Sequence, residues 1–482
     1  MRIPTSDVDR LREALTRAGF NPDGVRARLG EQNRAAERGD YRGALAATTG
    51  LDALDVFIRL FTCGTPVAAA PVAAALAPLD VASALSWGLI TRDGDASAAG
   101  MSLTVHGDFH VLADLPAAPG RALDGEHVLG VGGASTTLTS ATLRAPVGSA
   151  LDIGTGSGVQ ALHLSGHAER VTGTDISERA LGFAAANARL NGLDWELLHG
   201  DMLAPVAGRR FDLVVSNPPF VIGAGDAAFT YRDSGREADG VCAELAAAAP
   251  GLLNPGGTMQ FLANWIHVEG EDWRERVAGW FEGTGCDVWA IQREVTDPLD
   301  YVRVWQRDSA AHDPQAMAAW LDWFDAKKAT GVGFGMVTAR LSGRQDPIVH
   351  CDEIRHQVEA PYADRIAGWF DRYDLIAGLT PERLLAARLK LADGVELRQD
   401  AALGEDGWEV GRQVLAQTRG MHFVEKIDPL LVAFLGGCNG LVPVRTQIAL
   451  LAAAHEAPDG LLAASLAPVI THFVQRGFLT VV

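Results

Sequence analysis

Two short motifs in the middle of the chain carry the residues best suited to bind and orient a ligand. The first places glycines at 154, 156 and 158 directly after a short apolar run at 150–153. The second, Asn217-Pro218-Pro219-Phe220, follows another apolar run at 211–216. Glycine lets a ligand approach the backbone where a Cβ would prevent contact, and proline fixes the backbone beside an amide that can hydrogen-bond. The pair predicts a ligand site at one edge of a sheet.

The residues around the glycines narrow the kind of ligand. A dinucleotide fingerprint requires glycine at 159, where the chain has Val159, and no Lys-Ser or Lys-Thr follows as in a phosphate-binding P-loop. With these two kinds of site excluded, the glycines are best interpreted as a Rossmann-like turn for a cofactor without pyrophosphate. Asp175, at the end of the next predicted strand, is placed to accept hydrogen bonds from both ribose hydroxyls. Asp201 and Met202, after the third predicted strand, offer an acceptor and an apolar ledge for an adenine.

These residues resemble the class I methyltransferases that use S-adenosyl-L-methionine (SAM), over roughly residues 129–306. The resemblance implies SAM as cofactor and S-adenosyl-L-homocysteine as product. It implies cofactor-binding roles for Asp152, Gly154, Thr155, Gly156, Gly158, Asp175, Ile176, Asp201, Met202 and Asn217.

The second motif resembles the Asn-Pro-Pro-(Tyr/Phe) signature of methyltransferases that modify planar nitrogens. These include the HemK-type release-factor glutamine enzymes, the "methyltransferase small domain" family and the adenine-N6 and guanine-N2 enzymes. The resemblance implies that the Asn217 amide oxygen and the Pro218 carbonyl each accept one N–H hydrogen of the acceptor. Pro219 would stiffen the motif, and Phe220 would offer a face for stacking. Phe220 replaces the tyrosine most typical of the glutamine enzymes, which keeps a nucleobase acceptor open.

The elements that position these motifs alternate between strand and helix. Strands are predicted at 150–153, 171–174, 195–199, 211–216, 258–262, 287–291 and 301–306, and helices at 160–164, 178–190 and 241–253. Such alternation is typical of βαβ units and a mostly parallel sheet, whose ligands bind at the carboxyl ends of the strands. The predicted fold is a seven-stranded, Rossmann-like α/β domain of class I methyltransferase type.

Mainly helical modules are predicted on both sides of this domain. Helices at 51–61, 72–76 and 81–89, followed by strands at 102–106 and 109–112, are typical of a winged helix; further helices at 429–435, 443–455 and 461–477 with a strand at 478–482 repeat the plan. Residues 317–324 are predicted as an aromatic-rich helix, and 331–341 and 348–351 as strands. The expected domains are 1–115, 120–308, an extension at 309–365, and 366–482.

Composition sets limits on location and partners. The formal charge of −19 disfavours a broad nucleic-acid groove, and the five scattered cysteines indicate free thiols in a reducing cytoplasm. The sequence shows neither a signal peptide nor an apolar run of bilayer length. His163 and His167 have helical spacing but no third metal ligand, so we expect neither membrane nor metal. The oligomeric state stays open.

Several alternatives stay open from sequence. Tyr231 and Arg232 lie in a segment that forms either an acceptor-side lid or a solvated loop, and the glycine-bearing segment 127–134 forms either an entry loop or a cover over the ligand. Asp175 can instead cap the next helix. The leading function is N-methylation of a translation-related macromolecule, with a release-factor-like glutamine ahead of an RNA base. A small-molecule methyltransferase and a SAM-binding sensor are the rivals.

Overall fold

The computed structural model describes residues 3–117, 123, 125–225, 233, 235–308, 313–405 and 407–482. Its contacts define two compact units, Met1–Thr139 with Ala145–Arg355, and Ser140–Arg144 with His356–Val482. Within the described ranges, no helix is both long and apolar enough to cross a bilayer. The five cysteines are free thiols, as their scatter predicted.

An eight-stranded sheet is the centre of the first unit. Its strands, in chain order, are β1 (Ala150–Ile153), β2 (Val171–Asp175), β3 (Glu196–His199), β4 (Phe211–Ser216), β5 (Leu253–Val268), β6 (Asp287–Thr296), β7 (Ala329–Arg340) and β8 (Val349–Glu353). Their order across the sheet is β3-β2-β1-β4-β5-β7-β6-β8. Strands β1 to β5 run parallel, while β7 lies antiparallel between β5 and β6. The predicted α/β class is confirmed.

The prediction of a seventh strand at 301–306 was wrong, because these residues belong to the helix Pro298–Asp308. The Asp297 carboxylate accepts hydrogen bonds from the backbone N–H groups of Leu299 and Asp300, as a helix cap does. Alternating apolar residues suggested a strand, but Tyr301, Val302 and Trp305 also share one helical face. The sheet continues past residue 308 instead, since β7 and β8 fall in the region expected to be an extension.

The glycines of β7 make room for a buried tryptophan on β5. A Cβ on Gly333 would lie 2.4 Å from Trp265 Nε1, and one on Gly335 would lie 2.6 Å from the same ring. The Trp265 Nε1–H donates to Gln292 Oε1 at 2.9 Å. These glycines therefore serve packing across the strands, which keeps the sheet continuous beyond β5.

Helices cover the sheet and extend the first unit. They are Gly133–Ala141, Val159–Leu164, Glu178–Leu190, Gly240–Leu252, Trp273–Gly279, Pro298–Asp308 and Pro314–Ala326. The helices predicted at 160–164, 178–190, 241–253 and 317–324 are confirmed within a few residues.

The N-terminal module contains the helices Thr5–Ala18, Pro22–Leu29, Asn33–Ala36, Arg42–Ala47, Ala53–Phe57, Ala69–Leu76 and Val81–Ser86. The hairpin Ile90–Asp93 and Ala96–Ala99 joins the short strand Val67–Ala68 in a three-stranded sheet. The predicted hairpin forms a separate two-stranded sheet, Ser102–His106 with Phe109–Ala113. Sequence missed the first hairpin because its second strand, Ala96-Ser97-Ala98-Ala99, has no β-branched or aromatic residue.

Two asparagines fasten this second hairpin to the helix Glu178–Leu190 and its C-cap. The backbone N–H and C=O of Leu112 bond the Asn187 side chain at 2.7 and 2.8 Å, and those of His110 bond the Asn191 side chain at 2.9 and 2.8 Å. Asn187 and Asn191 are four residues apart, a rise of about 6 Å along a helix. His110 and Leu112 are two residues apart, about 6.6 Å along a strand, so the two side chains match the two backbone positions in spacing. Phe183 and Leu190 also belong to the N-terminal core. The module and the sheet domain are therefore packed as one body.

The second unit combines helices with two small sheets. Its helices include Ala363–Ala377, Pro381–Ala386, Pro429–Gly436, Val444–Ala454 and Asp459–Arg476. One sheet pairs Arg388–Leu391 with Asn439–Pro443 and Leu479–Val481. The other pairs Val395–Gly404 with Gly407–Gln417, which also pairs with Val424–Lys426. The last three helices and the terminal strand were predicted, whereas the helices Ala363–Ala377 and Pro381–Ala386 were not. The long hairpin was not predicted either, because its exposed strands mix charged and small residues without clear alternation.

Candidate active site

The ends of β1 and β4 bring the two motifs together. Ile153 and Ser216 are register partners, and Ser216 Oγ donates to the Ile153 carbonyl at 2.9 Å. The glycine turn follows Ile153, and Asn217 follows Ser216. The two motifs therefore start side by side at the carboxyl edge of the parallel strands, as the sequence predicted.

Three glycines form the turn, and the structure requires them for different reasons. Gly154, Gly156 and Gly158 have φ of +68°, +57° and +85°, which L side chains rarely adopt. A Cβ on Gly154 or Gly156 would meet no heavy atom within 4 Å, whereas one on Gly158 would lie 2.7 Å from the Trp195 ring. The first two glycines leave an open face for a ligand, while the third is needed for packing.

Asp152 is buried beneath the turn. Its Oδ2 accepts from Thr155 Oγ1 at 2.7 Å and from the Ala161 backbone N–H at 3.2 Å, so it joins the turn to the helix Val159–Leu164. Its Oδ1 is buried and has no hydrogen-bond partner among the described residues. Burial raises the pKa of Asp152 to about 7. Asp152 organises the turn and keeps one oxygen for another donor.

Asp175 holds the turn from the end of β2. Its Oδ2 accepts from the Gly156 N–H and its Oδ1 from the Ser177 N–H, both at 2.8 Å. Burial raises the pKa of this carboxyl group. The helix Glu178–Leu190 is capped by Ser177 rather than by Asp175. A carboxylate has about four lone-pair positions, so Asp175 retains capacity for ligand hydroxyls.

Two exposed apolar side chains accompany the turn. Ile176 follows Asp175 and is 51% exposed. Leu129 is also exposed, and its carbonyl accepts from Ser157 Oγ at 2.8 Å. Gln160 Nε2 donates to the Ser135 carbonyl at 3.0 Å. Segment 127–134 is thus attached to the glycine turn, the arrangement that a cover over a ligand requires.

Asp201 and Met202 follow the third strand, as predicted. Asp201 Oδ2 accepts from Arg236 Nη2 at 3.0 Å, and Arg236 Nε also bonds Glu244 at 3.1 Å. Met202 has φ +44°, and its carbonyl accepts from Thr174 Oγ1 at 3.4 Å. Arg236 therefore links the segment after Asn217 with the cofactor end. Sequence did not foresee this pair, because 35 residues separate the two partners.

Asn217 presents the group expected to hold an acceptor. Its amide Oδ1 is buried and has no hydrogen-bond partner among the described residues. Leaving an amide oxygen unpaired in a buried position costs about 1–3 kcal/mol. Pro218, the next residue, is buried at the sheet edge. This oxygen, like Asp152 Oδ1, is available to a donor other than the described residues.

The backbone just past the motif is held by side chains that sequence analysis did not assign to the site. The Ile222 N–H donates to the Tyr301 hydroxyl and the Ile222 carbonyl accepts from Trp320 Nε1, both at 2.9 Å. Asn264 Nδ2 donates to the same hydroxyl at 2.8 Å. Burial raises the pKa of Tyr301, so the hydroxyl stays protonated. The four-residue spacing of Tyr301 and Trp305, which is typical of one face of a helix, was the sequence feature that could have indicated this arrangement.

The other predicted acceptor residues have mixed outcomes. Phe220 is only 9% exposed, and its ring centroid lies 5.8 Å from that of Phe334. Much of the ring is therefore engaged in packing, and its stacking role stays a prediction. Tyr231 and Arg232 lie outside the described residues. Among residues that are described, no group of three His, Cys, Asp or Glu side chains is arranged to hold a metal.

Comparison with protein families identifies the central region. Residues 131–271 match the family described as "Methyltransferase small domain". Residues 17–100 match "Domain of unknown function (DUF7059)" and residues 367–481 match "Domain of unknown function (DUF7782)". The predicted resemblance to methyltransferases is thereby confirmed for the region that carries both motifs.

Individual relatives each match a part of the chain. The ribosomal RNA small subunit methyltransferase C of Alcanivorax borkumensis is 33% identical over 117 residues, 24% of this chain and 32% of that protein. The release factor glutamine methyltransferase of Geobacter sulfurreducens is 36% identical over 165 residues, 31% of this chain and 55% of that protein. The chain thus spans about a third to a half of these relatives' length.

The likeness to solved structures is weak. A methyltransferase from Pyrococcus furiosus is 19% identical, with a TM-score of 0.27 over 43% of this chain and 80% of that one.

Proposed function

We propose that this protein is a SAM-dependent N-methyltransferase whose acceptor is a planar amide or amino nitrogen in a translation-related macromolecule. A release-factor-like glutamine is the leading acceptor, in keeping with the relatives that match the chain. The observation that carries the proposal is the buried oxygen of Asn217 beside the open glycine turn, since no described residue donates a hydrogen bond to it.

The cofactor end fits SAM in three respects. Gly154 and Gly156 leave room for a ligand against the backbone. The Asp175 carboxylate is fixed by two backbone N–H groups and can accept ribose hydroxyls. Ile176 offers an exposed apolar side chain, as an adenine ring requires. When bound, SAM supplies an electrophilic methyl group on a sulfonium.

The acceptor end explains how a poor nucleophile is oriented. The lone pair of an amide or exocyclic nitrogen is delocalised, so precise placement contributes more than base catalysis. Asn217 Oδ1 and the Pro218 carbonyl would each accept one N–H hydrogen and so direct the lone pair outward. Tyr301 and Trp320 hold the backbone at Ile222 and thereby stiffen the segment. The methylated nitrogen becomes acidic and can lose its proton to water.

An RNA base is the second candidate acceptor. A ribosomal RNA methyltransferase is among the relatives, and Phe220 stands where the glutamine enzymes typically have tyrosine. The formal charge of −19 counts against extended contact with RNA through the whole surface. The glutamine acceptor therefore remains the first choice.

The decisive experiment supplies methyl-labelled SAM with three separate acceptors: a purified release factor, protein-free ribosomal RNA and the small-molecule fraction of a cell extract. We expect label in the release factor, recovered as N-methylglutamine after hydrolysis. Label in RNA would select the second candidate. SAM binding without transfer to any fraction would instead indicate a sensor and overturn the proposal.

A variant tests the role of Asn217 directly. Asn217→Ala should lower kcat at least a hundredfold, about 3 kcal/mol of transition-state stabilisation, while the Kd for SAM changes little. Asn33→Ala, in the short helix Asn33–Ala36, is the matched control and should behave as wild type. Full turnover by Asn217→Ala would refute the acceptor clamp.

A further inference from the structure

Four arginines line a cavity of about 250 Å³ in the second unit. They are Arg365, Arg372, Arg419 and Arg476. Such a concentration of positive charge is notable in a protein whose formal charge is −19. Apart from Arg365, the lining residues lie within residues 367–481, which match the domain of unknown function DUF7782.

Three separate elements bring the arginines together. Arg365 and Arg372 lie seven residues apart on the helix Ala363–Ala377, and this spacing puts them on one face. Arg419 follows the strand Gly407–Gln417, and Arg476 ends the helix Asp459–Arg476. The fold therefore builds this cluster, and no run of basic residues in the sequence announces it.

Most of this charge is not neutralised inside the protein. Within the described chain, Arg365, Arg372 and Arg419 form no ion pair with a carboxylate at 4.0 Å or less. Arg372 Nε donates to the Gln475 carbonyl at 2.8 Å. Arg476 differs, because Glu425 lies 4.0 Å away and its guanidinium lies 4.3 Å from the centre of the Phe423 ring.

The carboxylates near the cavity do not neutralise the positive charges of Arg365, Arg372 and Arg419. Asp393 lines the cavity, but its side chain is 94% exposed and it approaches Lys390 at 4.0 Å. Glu359 accepts from the Gly420 N–H at 3.3 Å. Burial lowers the pKa of Arg372; the charge of Asp371 raises it, and that of Arg365 lowers it. The positive charges of Arg365 and Arg372 are close enough to repel each other, so an anion between them would be stabilised.

We propose that this cavity binds the phosphate group of a nucleotide or of a nucleic-acid strand, through Arg365, Arg372 and Arg419. A carboxylate has two oxygens, which one guanidinium can already engage in a bidentate pair. A phosphate offers more oxygens in a tetrahedral arrangement, so it can receive donors from several guanidinium groups. The volume leaves room for the sugar next to the phosphate. This proposal does not depend on the proposed methyl transfer and can be tested without SAM.

The test measures binding of uridine monophosphate and of a fluorescein-labelled single-stranded RNA of about 12 nucleotides to the full-length protein. Uridine monophosphate is chosen because it lacks the adenine that a SAM site would bind. Sodium sulfate should compete, while sodium chloride at equal ionic strength should compete less. Binding of the mononucleotide identifies a free nucleotide as sufficient, whereas binding of RNA alone identifies the strand as the source of the phosphate.

Variants locate the binding in the cavity. Arg365→Ala and Arg419→Ala change exposed side chains with no hydrogen bond or ion pair among the described residues, so both should fold, and each should weaken binding at least tenfold. Arg445→Ala, an exposed arginine outside the cavity, removes the same charge and should change binding less than twofold. Equal losses in all three variants, or no binding of either probe to wild type, would overturn the proposal.

Discussion

Tyr301→Phe tests whether the residues behind the Asn217 motif set its position. The substitution removes one hydroxyl and keeps the ring packed among Trp305, Trp320 and Phe324. That hydroxyl accepts from the Ile222 N–H and from Asn264 Nδ2. Both donors are buried, so in the variant neither can turn to water.

The size of the effect follows from these two hydrogen bonds. A buried donor left without an acceptor costs about 1–3 kcal/mol, and partial relaxation reduces the combined loss. We therefore expect the free energy of unfolding of the first unit to fall by about 3 kcal/mol. Ile222 lies five residues after Asn217, and a misplacement of about 1 Å at a reacting group can cost about a hundredfold in rate. We expect kcat to fall roughly ten- to a hundredfold.

The assay must separate positioning from simple destabilisation. Chemical denaturation gives the unfolding free energy, and steady-state methyl transfer at 15 °C below the variant's melting temperature gives kcat and KM. Positioning predicts a lower kcat with an unchanged Kd for SAM, because the Asp175 side of the site is untouched. Tyr41→Phe, for which the structure shows no hydroxyl hydrogen bond, is the control. A Tyr301→Phe protein with wild-type stability and kcat would refute the reasoning.

Three further predictions concern the cofactor end. Asp175→Ala should raise the Kd for SAM at least tenfold by calorimetry, about 1.4 kcal/mol; unchanged affinity would remove Asp175 from the site. Gly158→Ala should lower the unfolding free energy by about 2 kcal/mol or more, because its Cβ would meet Trp195, whereas Gly156→Ala should cost about 1 kcal/mol and mainly weaken SAM binding. The pKa of Asp152 is raised from 3.8 to about 7, so the folded protein keeps a proton that the unfolded chain releases. The contribution of Asp152 to stability should therefore decline as pH rises from about 4 to about 7 and level off above it. In denaturation series across pH, the difference in unfolding free energy between wild type and Asp152→Asn should change over this range, and a difference independent of pH would show that Asp152 does not titrate as expected.

Local patterns were enough to predict the two motifs and the strands that carry them. The glycine turn and Asn217 each follow a short apolar strand, and parallel strands bring their carboxyl ends to one edge whatever the rest of the chain does. The same local reasoning misplaced Tyr301, because an apolar alternation over six residues fits a strand and one face of a helix equally well. Its true role depends on packing against helix Pro314–Ala326.

Other features could not be predicted because they depend on contacts between distant segments. The pair of Arg236 with Asp201 and the arginine cavity arise only when separate elements meet. The Asn187 bonds to Leu112 span 75 residues. No spacing rule connects such partners, since an asparagine or an arginine in a sequence is compatible with many folds.

The amide ladder formed by Asn187 and Asn191 has a consequence for self-association. The strand Phe109–Ala113 pairs with Ser102–His106 on one side only, and an open edge of this kind is a template for joining strands of other molecules. The two side-chain amides occupy the N–H and C=O groups of His110 and Leu112 that a further strand would use. Replacing both asparagines with alanine would leave these edge groups without partners beneath the helix and weaken its hold on the strand, so these residues keep the strand edge covered as well as joining the hairpin to the helix.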